Sequence, residues 1–80
     1  MASQTIQLRH LIPDYFPEAK DFIADEVEER IYFDDDGEMQ AWIDRDNERV
    51  VFEFKNHEDW YFCDWATFEE INEKNEAPIF

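Results

Sequence analysis

The chain has 80 residues, with 22 Asp and Glu against 7 Lys and Arg, a formal net charge of −15 and a pI near 4.1. Charge of that sign and size excludes direct contact with nucleic-acid phosphates or an anionic lipid surface as a first reading. A content of 44% hydrophobic and 18% aromatic residues excludes the apolar-poor disordered class and predicts one packed domain over residues 1–80.

The first residues, Met1-Ala2-Ser3-Gln4-Thr5, show no basic segment followed by an apolar run, so no secretory signal is expected. No apolar stretch approaches the roughly 20 residues that cross a bilayer. Cys63 is the single cysteine, which excludes an intramolecular disulfide. A soluble cytoplasmic protein is the expectation. Ile6, Leu8, Leu11 and Ile12 fit a short strand or an apolar arm, and Pro13 and Pro17 bound a turn.

Pro17 suits the first position of a helix, where its missing N–H costs nothing. Ala19, Phe22, Ile23 and Val27 then recur at helical spacing, predicting a helix over about 17 to 29. Asp21, Asp25 and Glu28 or Glu29 would form an acidic stripe along it. Three segments of period-two alternation follow, over 30–34, 38–44 and 49–55. A three-residue loop, Asp35-Asp36-Gly37, pairs Phe33 with Met39 and Ile31 with Ala41 and gives the only Gly the left-handed position. A loop at Asp46-Asn47 pairs Ile43 with Val50, Ala41 with Phe52 and Asp44 with Arg49, and both loop residues tolerate positive φ. Trp60-Tyr61-Phe62-Cys63 fits a short fourth strand. Thr67 followed by Glu70 reads as a capping box opening a helix over about 68 to 76, with Phe68 and Ile71 inward and Pro78 as its stop. The predicted fold is α+β: a three- to four-stranded antiparallel meander with flanking helices, in the order α-β-β-β-(β)-α.

The chemistry-bearing residues are mostly acidic. Solubility of a small domain needs a net charge of only about 2 to 8 in magnitude, so −15 points to a basic partner. Consecutive acids on a helical stripe lie about 6 Å apart along the axis. One DNA strand carries a phosphate per roughly 3.4 Å. The helix alone is therefore too sparse to imitate a duplex, and the loop acids Asp34, Asp35, Asp36 and Glu38 must contribute. The same loop resembles a calcium loop, but with Gly37 at position 6 the ends fall on Tyr32 and Ile43, which carry no carboxylate. His10 and His57 have no ligand spacing to Cys63. Ser3 is the only Ser, and one Gly cannot build a phosphate-binding loop. No catalytic, metal or cofactor site is expected. With helices over the face bearing Phe33, Met39, Ala41, Ile43, Val50, Phe52 and Phe54, the other face of the sheet carries Tyr32, Trp42, Val51, Trp60 and Phe62. That face is either an interface or the seat of residues 1 to 15.

The helix acids Asp21, Asp25, Glu28 and Glu29, the loop Asp34-Asp35-Asp36-Gly37-Glu38 and the element order together resemble the small nucleic-acid-mimic inhibitors of phages and mobile elements, of anti-CRISPR and anti-restriction type. The resemblance lies in charge and element order. It implies a non-enzymatic inhibitor that blocks the basic DNA- or RNA-binding surface of a nuclease or surveillance complex, in the host cytoplasm if phage-encoded. Trp42 and Trp60 would serve as anchors beside the acids. An immunity protein or antitoxin against a basic nuclease toxin is the alternative, and a calcium-responsive module a third. The element order is also similar to that of double-stranded-RNA-binding domains, whose basic residues are absent here. The expected partner is thus a basic nucleic-acid-binding protein or complex, with no membrane and no nucleic acid bound directly. Self-association is left open.

Overall fold

In the computed structural model, residues 4–25 and 27–74 are described. They form α1 (Gln4–Tyr15), β1 (Lys20–Asp25), β2 (Arg30–Asp34), β3 (Glu38–Asp44), β4 (Arg49–Asn56), β5 (Asp59–Thr67) and α2 (Phe68–Lys74). The strands make one open sheet in the order β1-β2-β3-β4-β5, every neighbouring pair antiparallel. The architecture is α+β, with five strands where three to four were expected.

The first quarter of the chain corrects the sequence reading. Residues 4–15 are a helix, neither strand nor arm, and residues 20–25 are a strand. Leu8, Leu11 and Ile12 are buried, and Tyr15 packs against the core they enter. Their spacing is i, i+3, i+4 and i+7, one helical face. Pro13 lies in the last turn, so the one helical bond lost with its missing N–H, to the Arg9 carbonyl, falls near the end of the helix. A helix over 17–29 would have stacked Asp21, Asp25 and Glu29 at i, i+4 and i+8, and like charges at that spacing destabilise a helix. As a strand, the same segment extends the sheet. A register shift between Lys20 and Ile23, with Asp21 at φ 57°, puts one extra residue into β1. Consecutive Phe22 and Ile23 point to opposite faces, as in any strand, and the extra residue is what turns Phe22 to the core side. Phe22 stacks on Phe33 at 6.5 Å, while Ile23 is exposed. Val27, placed on the apolar stripe by its spacing, is 94% exposed in the β1–β2 turn.

The central meander follows its alternation. Phe33 faces Met39 and Ile31 faces Ala41 across β2–β3. Ile43 faces Val50, Ala41 faces Phe52 and Asp44 faces Arg49 across β3–β4. In the first turn Gly37 has φ 128° and Asp36 has φ 57°, so the left-handed residue proper is Asp36. The second turn spans Arg45 to Glu48, and the positive φ of 51° falls on Glu48, neither on Asp46 nor on Asn47.

The expected fourth strand is longer than Trp60–Cys63. It runs nine residues as β5, with a register shift opposite Phe52 and Glu53 that leaves Cys63 as the extra residue. Thr67 Oγ1 then accepts the Glu70 backbone N–H at 3.2 Å, capping α2 as its sequence indicates. Phe68 and Ile71 are buried. The side chain of Ile6, the expected end of the helix at 75–76 and its stop at Pro78 lie outside the described residues. Both helices cover one face: Leu8, Leu11, Ile12, Phe68 and Ile71 share a core with Ile31, Phe33, Met39, Ala41, Ile43, Val50, Phe52 and Ala66. The other face carries no element among the described residues. No described helix is long and apolar enough to cross a membrane.

Candidate functional site

The uncovered face is built in cross-strand rows. Arg30, Trp42, Val51 and Trp65 stand side by side, as do Ile23, Tyr32, Gln40, Glu53 and Phe62. A further row holds Asp34, Glu38, Lys55 and Trp60; Asp34 faces Glu38, and Lys55 faces Trp60. Aromatic rings dominate. Phe62 is 53% and Trp65 47% exposed, and their centroids lie 5.5 Å apart. Tyr32 and Trp60, on β2 and β5, reach across the two strands between them to 6.2 Å. Cations lie over two of these rings: Arg49 5.6 Å from the centre of Trp65, and Lys55 5.9 Å from that of Trp60.

Beneath this layer the face is tied by polar bonds. Glu53 Oε1 accepts from Gln40 Nε2 at 2.5 Å and from Trp42 Nε1 at 3.1 Å. Gln40 is 3% exposed, and its Oε1 is buried with no hydrogen-bond partner among the described residues. Trp42 is half-buried, held by Glu53 and flanked by Val51. Of the two tryptophans picked as anchors, Trp42 belongs more to the scaffold of the face. Trp60 is also half-buried, packed on Tyr32. The exposed rings of this face are Phe62 and Trp65; Phe54 and Tyr61, stacked at 5.7 Å on the opposite face beyond the helices, are exposed too, so Phe54 is not the core residue its alternation implied. Trp65 had gone unassigned because the extra residue at Cys63 breaks the alternation that would have placed it.

The expected acids divide between the two ends of the sheet, about 20 Å apart for seven-residue β3 at roughly 3.3 Å per residue. Asp21, Asp34, Asp35, Asp36 and Glu38 gather at the β2–β3 turn end. Asp25, Glu28 and Glu29 lie at the opposite end, in and beside the β1–β2 turn. The helical stripe that was to join Asp21 to Asp25, Glu28 and Glu29 does not exist. The ends also differ in compensation. Glu28 meets Arg30 at 3.5 Å, Glu29 meets Arg45 at 2.9 Å and Asp44 meets Arg49 at 3.0 Å, all at the β1–β2 end. Asp25 Oδ1 accepts the backbone N–H groups of Val27 and Glu28, shaping the turn. Asn47 donates to Asp44, and Arg49 adds to it, which holds the Asp44 carboxyl below the usual range. At the β2–β3 end the one ion pair among the described residues is Lys55 with Glu38, at 3.3 Å. Asp34 Oδ1 accepts the Gly37 N–H at 3.0 Å. Glu58 and Asp59, at the β4–β5 turn, add to the same end.

Among the described residues no three His, Cys, Asp or Glu side chains are placed to hold a metal ion. Cys63 is exposed, and His57 sits at φ 61° in the β4–β5 turn. Set against known proteins, the chain matches no family model, no curated protein and no solved structure. The class of the molecule therefore rests on its own geometry: a small acidic α+β domain with one face of its sheet uncovered by any described element.

Proposed function

We propose that the chain is a non-enzymatic inhibitor that presents its uncovered sheet face to the basic DNA- or RNA-binding surface of a nuclease or surveillance complex. The carrying observation is the pairing of exposed Phe62 and Trp65 with carboxylates at both ends of the same sheet. Aromatic side chains free of a covering element supply desolvated contact area, the usual source of hot-spot energy. The acids supply steering and select a cationic surface. Asp34, Asp35 and Asp36 are contiguous at the β2–β3 turn and would present a denser run of negative charge than the expected helical stripe. The same charge keeps real nucleic acid off these rings.

Affinity capture at low salt, followed by competition with duplex DNA and RNA, tests this. The captured partner should release the protein as nucleic acid is added, and its on-rate should fall steeply as salt shortens the screening length to about 8 Å at 0.15 M. A ternary complex with unchanged nucleic-acid affinity, or an on-rate flat in salt, overturns the reading.

A further inference from the structure

At the β2–β3 turn end the uncovered face sinks into a cleft of about 380 Å³. Its walls are Tyr32 and Trp60, and its rim is Asp21, Asp34 and Glu38. The extra residue in β1 is what brings Asp21 to this rim, since Asp21 takes the left-handed conformation there. One cation already sits in the cleft. The Lys55 ammonium lies 3.3 Å from Glu38 and 5.9 Å from the centre of the Trp60 ring. Three carboxylates and one ammonium thus line the cleft beside two aromatic walls, with Lys20 opposite Asp34 in the β1–β2 register. The chain's own lysine demonstrates the chemistry the cleft accepts.

We propose that this cleft is a subsite for one arginine side chain of a basic protein partner, with Lys55 as the resident cation that shares it. The inference rests on the inhibitor reading for its partner. Arginine fits better than lysine on three counts. A guanidinium stacks flat on an aromatic face, is more weakly hydrated than an ammonium, and offers five donors to several carboxylates. The rings of Tyr32 and Trp60 stand 6.2 Å apart and tilted by 42°. A planar group between them would need about 7 Å, two contacts of about 3.5 Å. The guanidinium therefore lies on the outer side of the ring pair, within reach of the rim acids. A nucleobase could stack there too, but its phosphates would meet Asp21, Asp34 and Glu38.

The test is a titration of the isotope-labelled 80-residue protein with N-acetyl-arginine amide, read by amide and indole resonances. N-acetyl-lysine amide and N-acetyl-norleucine amide serve as comparisons. The arginine probe should move the Trp60 indole signal and the 34–38 amides, with a dissociation constant on the order of millimolar for one exposed contact. Lysine should bind more weakly, and norleucine should leave those signals in place. Trp60→Ala should weaken binding about two- to fivefold. Asp21→Asn with Asp34→Asn should weaken it as well while keeping both turns, because Asn retains the acceptor oxygen and tolerates positive φ. Lys55→Met should tighten it. Equal shifts from norleucine, or shifts at Trp65 with none at Trp60, overturn the subsite. The two readings fail separately. A captured partner indifferent to Trp60→Ala and Lys55→Met removes the subsite and leaves the inhibitor. Arginine binding here, with a partner that nucleic acid does not displace, leaves the subsite and removes the inhibitor.

Discussion

The two faces of the sheet use the same strands to opposite ends. The helix-covered face is aliphatic and aromatic with no charge in its core: Ile31, Ala41, Val50, Phe52 and Ala66 are buried under Leu8, Leu11, Ile12, Phe68 and Ile71. The other face is aromatic too, and three of its rings have polar companions. Trp42 donates to Glu53, Trp65 lies under Arg49 and Trp60 under Lys55. A core earns its stability from area removed from water. A face that must stay in water until a partner arrives needs rings rigid enough to bind and charged groups that keep it soluble. The comparison teaches that aromatic content alone does not separate core from interface. Cover does: Phe22 packs against the core although Arg9 lies over its ring, while Phe62 is exposed with only another ring, Trp65, beside it.

Truncation is the strongest way to break that contrast. Phe52→Ala should cost about 3 to 5 kcal/mol of stability, a large share of a small domain's total, read as a lower urea midpoint. Trp65→Ala should cost no more than about 1 kcal/mol by the same measurement. Equal losses would mean that the two faces are one core.

Binding should invert the order. Phe62→Ala or Trp65→Ala should each weaken the captured partner by roughly 2 kcal/mol, the hot-spot level, while melts stay near those of the parent. Trp42→Ala sharpens the picture. By releasing Glu53 and uncovering Val51 it should lower stability and binding together. A Trp42→Ala protein that melts normally and loses only binding would restore Trp42 as a surface anchor.

A smaller effect concerns how α2 is attached to the covered face. Thr67→Ala removes the oxygen that accepts the Glu70 N–H and should cost about 1 kcal/mol. Thr67→Ser should recover most of it. If Ser does no better than Ala, the cap is not what holds the helix.

The smallest predicted effects are in pH. Asp44 has a lowered pKa in the fold, first through Asn47 and also through Arg49. Its contribution is present above the ordinary carboxylate pKa of about 3.9 and is lost as pH falls through the lower folded value. The stability gap between parent and Asp44→Asn should therefore close on acidification, even as neutralising other acids relieves self-repulsion in both. Tyr15 moves the other way. Burial, then Glu70, Asp14 and Asp64, raise its pKa. Its neutral form is favoured in the fold, so stability should fall as pH rises above about 10. Tyr15→Phe should flatten that alkaline limb in a urea titration.

Legibility followed the range of the interactions involved. For β2, β3 and β4 the alternation of Ile31, Phe33, Met39, Ala41, Ile43, Val50 and Phe52, with Gly37 in the turn, was enough to set strand limits and register. Each pairing there is local, and a slip of one residue would turn the whole apolar set to solvent. The Thr67 cap was legible for the same reason. Acid clustering at Asp34-Asp35-Asp36 was visible too, being contiguous in the chain.

Bulges and packing decided the rest. The extra residue at Asp21 makes Phe22 and Ile23 look like a helical repeat when they are a strand's two faces. The extra residue at Cys63 hides the pairing of Trp65 with Val51. Pro13 obscured a helical face at Leu8, Leu11 and Ile12 whose last turn tolerates it. Which face of the sheet α1 would cover depended on contacts between residues far apart in sequence, and no periodicity encodes that choice. Sequence by itself determined the charge, the central meander and its register. Tertiary structure alone decided which aromatics stay bare and that the acids gather at two ends, because one inserted residue or one docked helix reassigns a whole row of side chains.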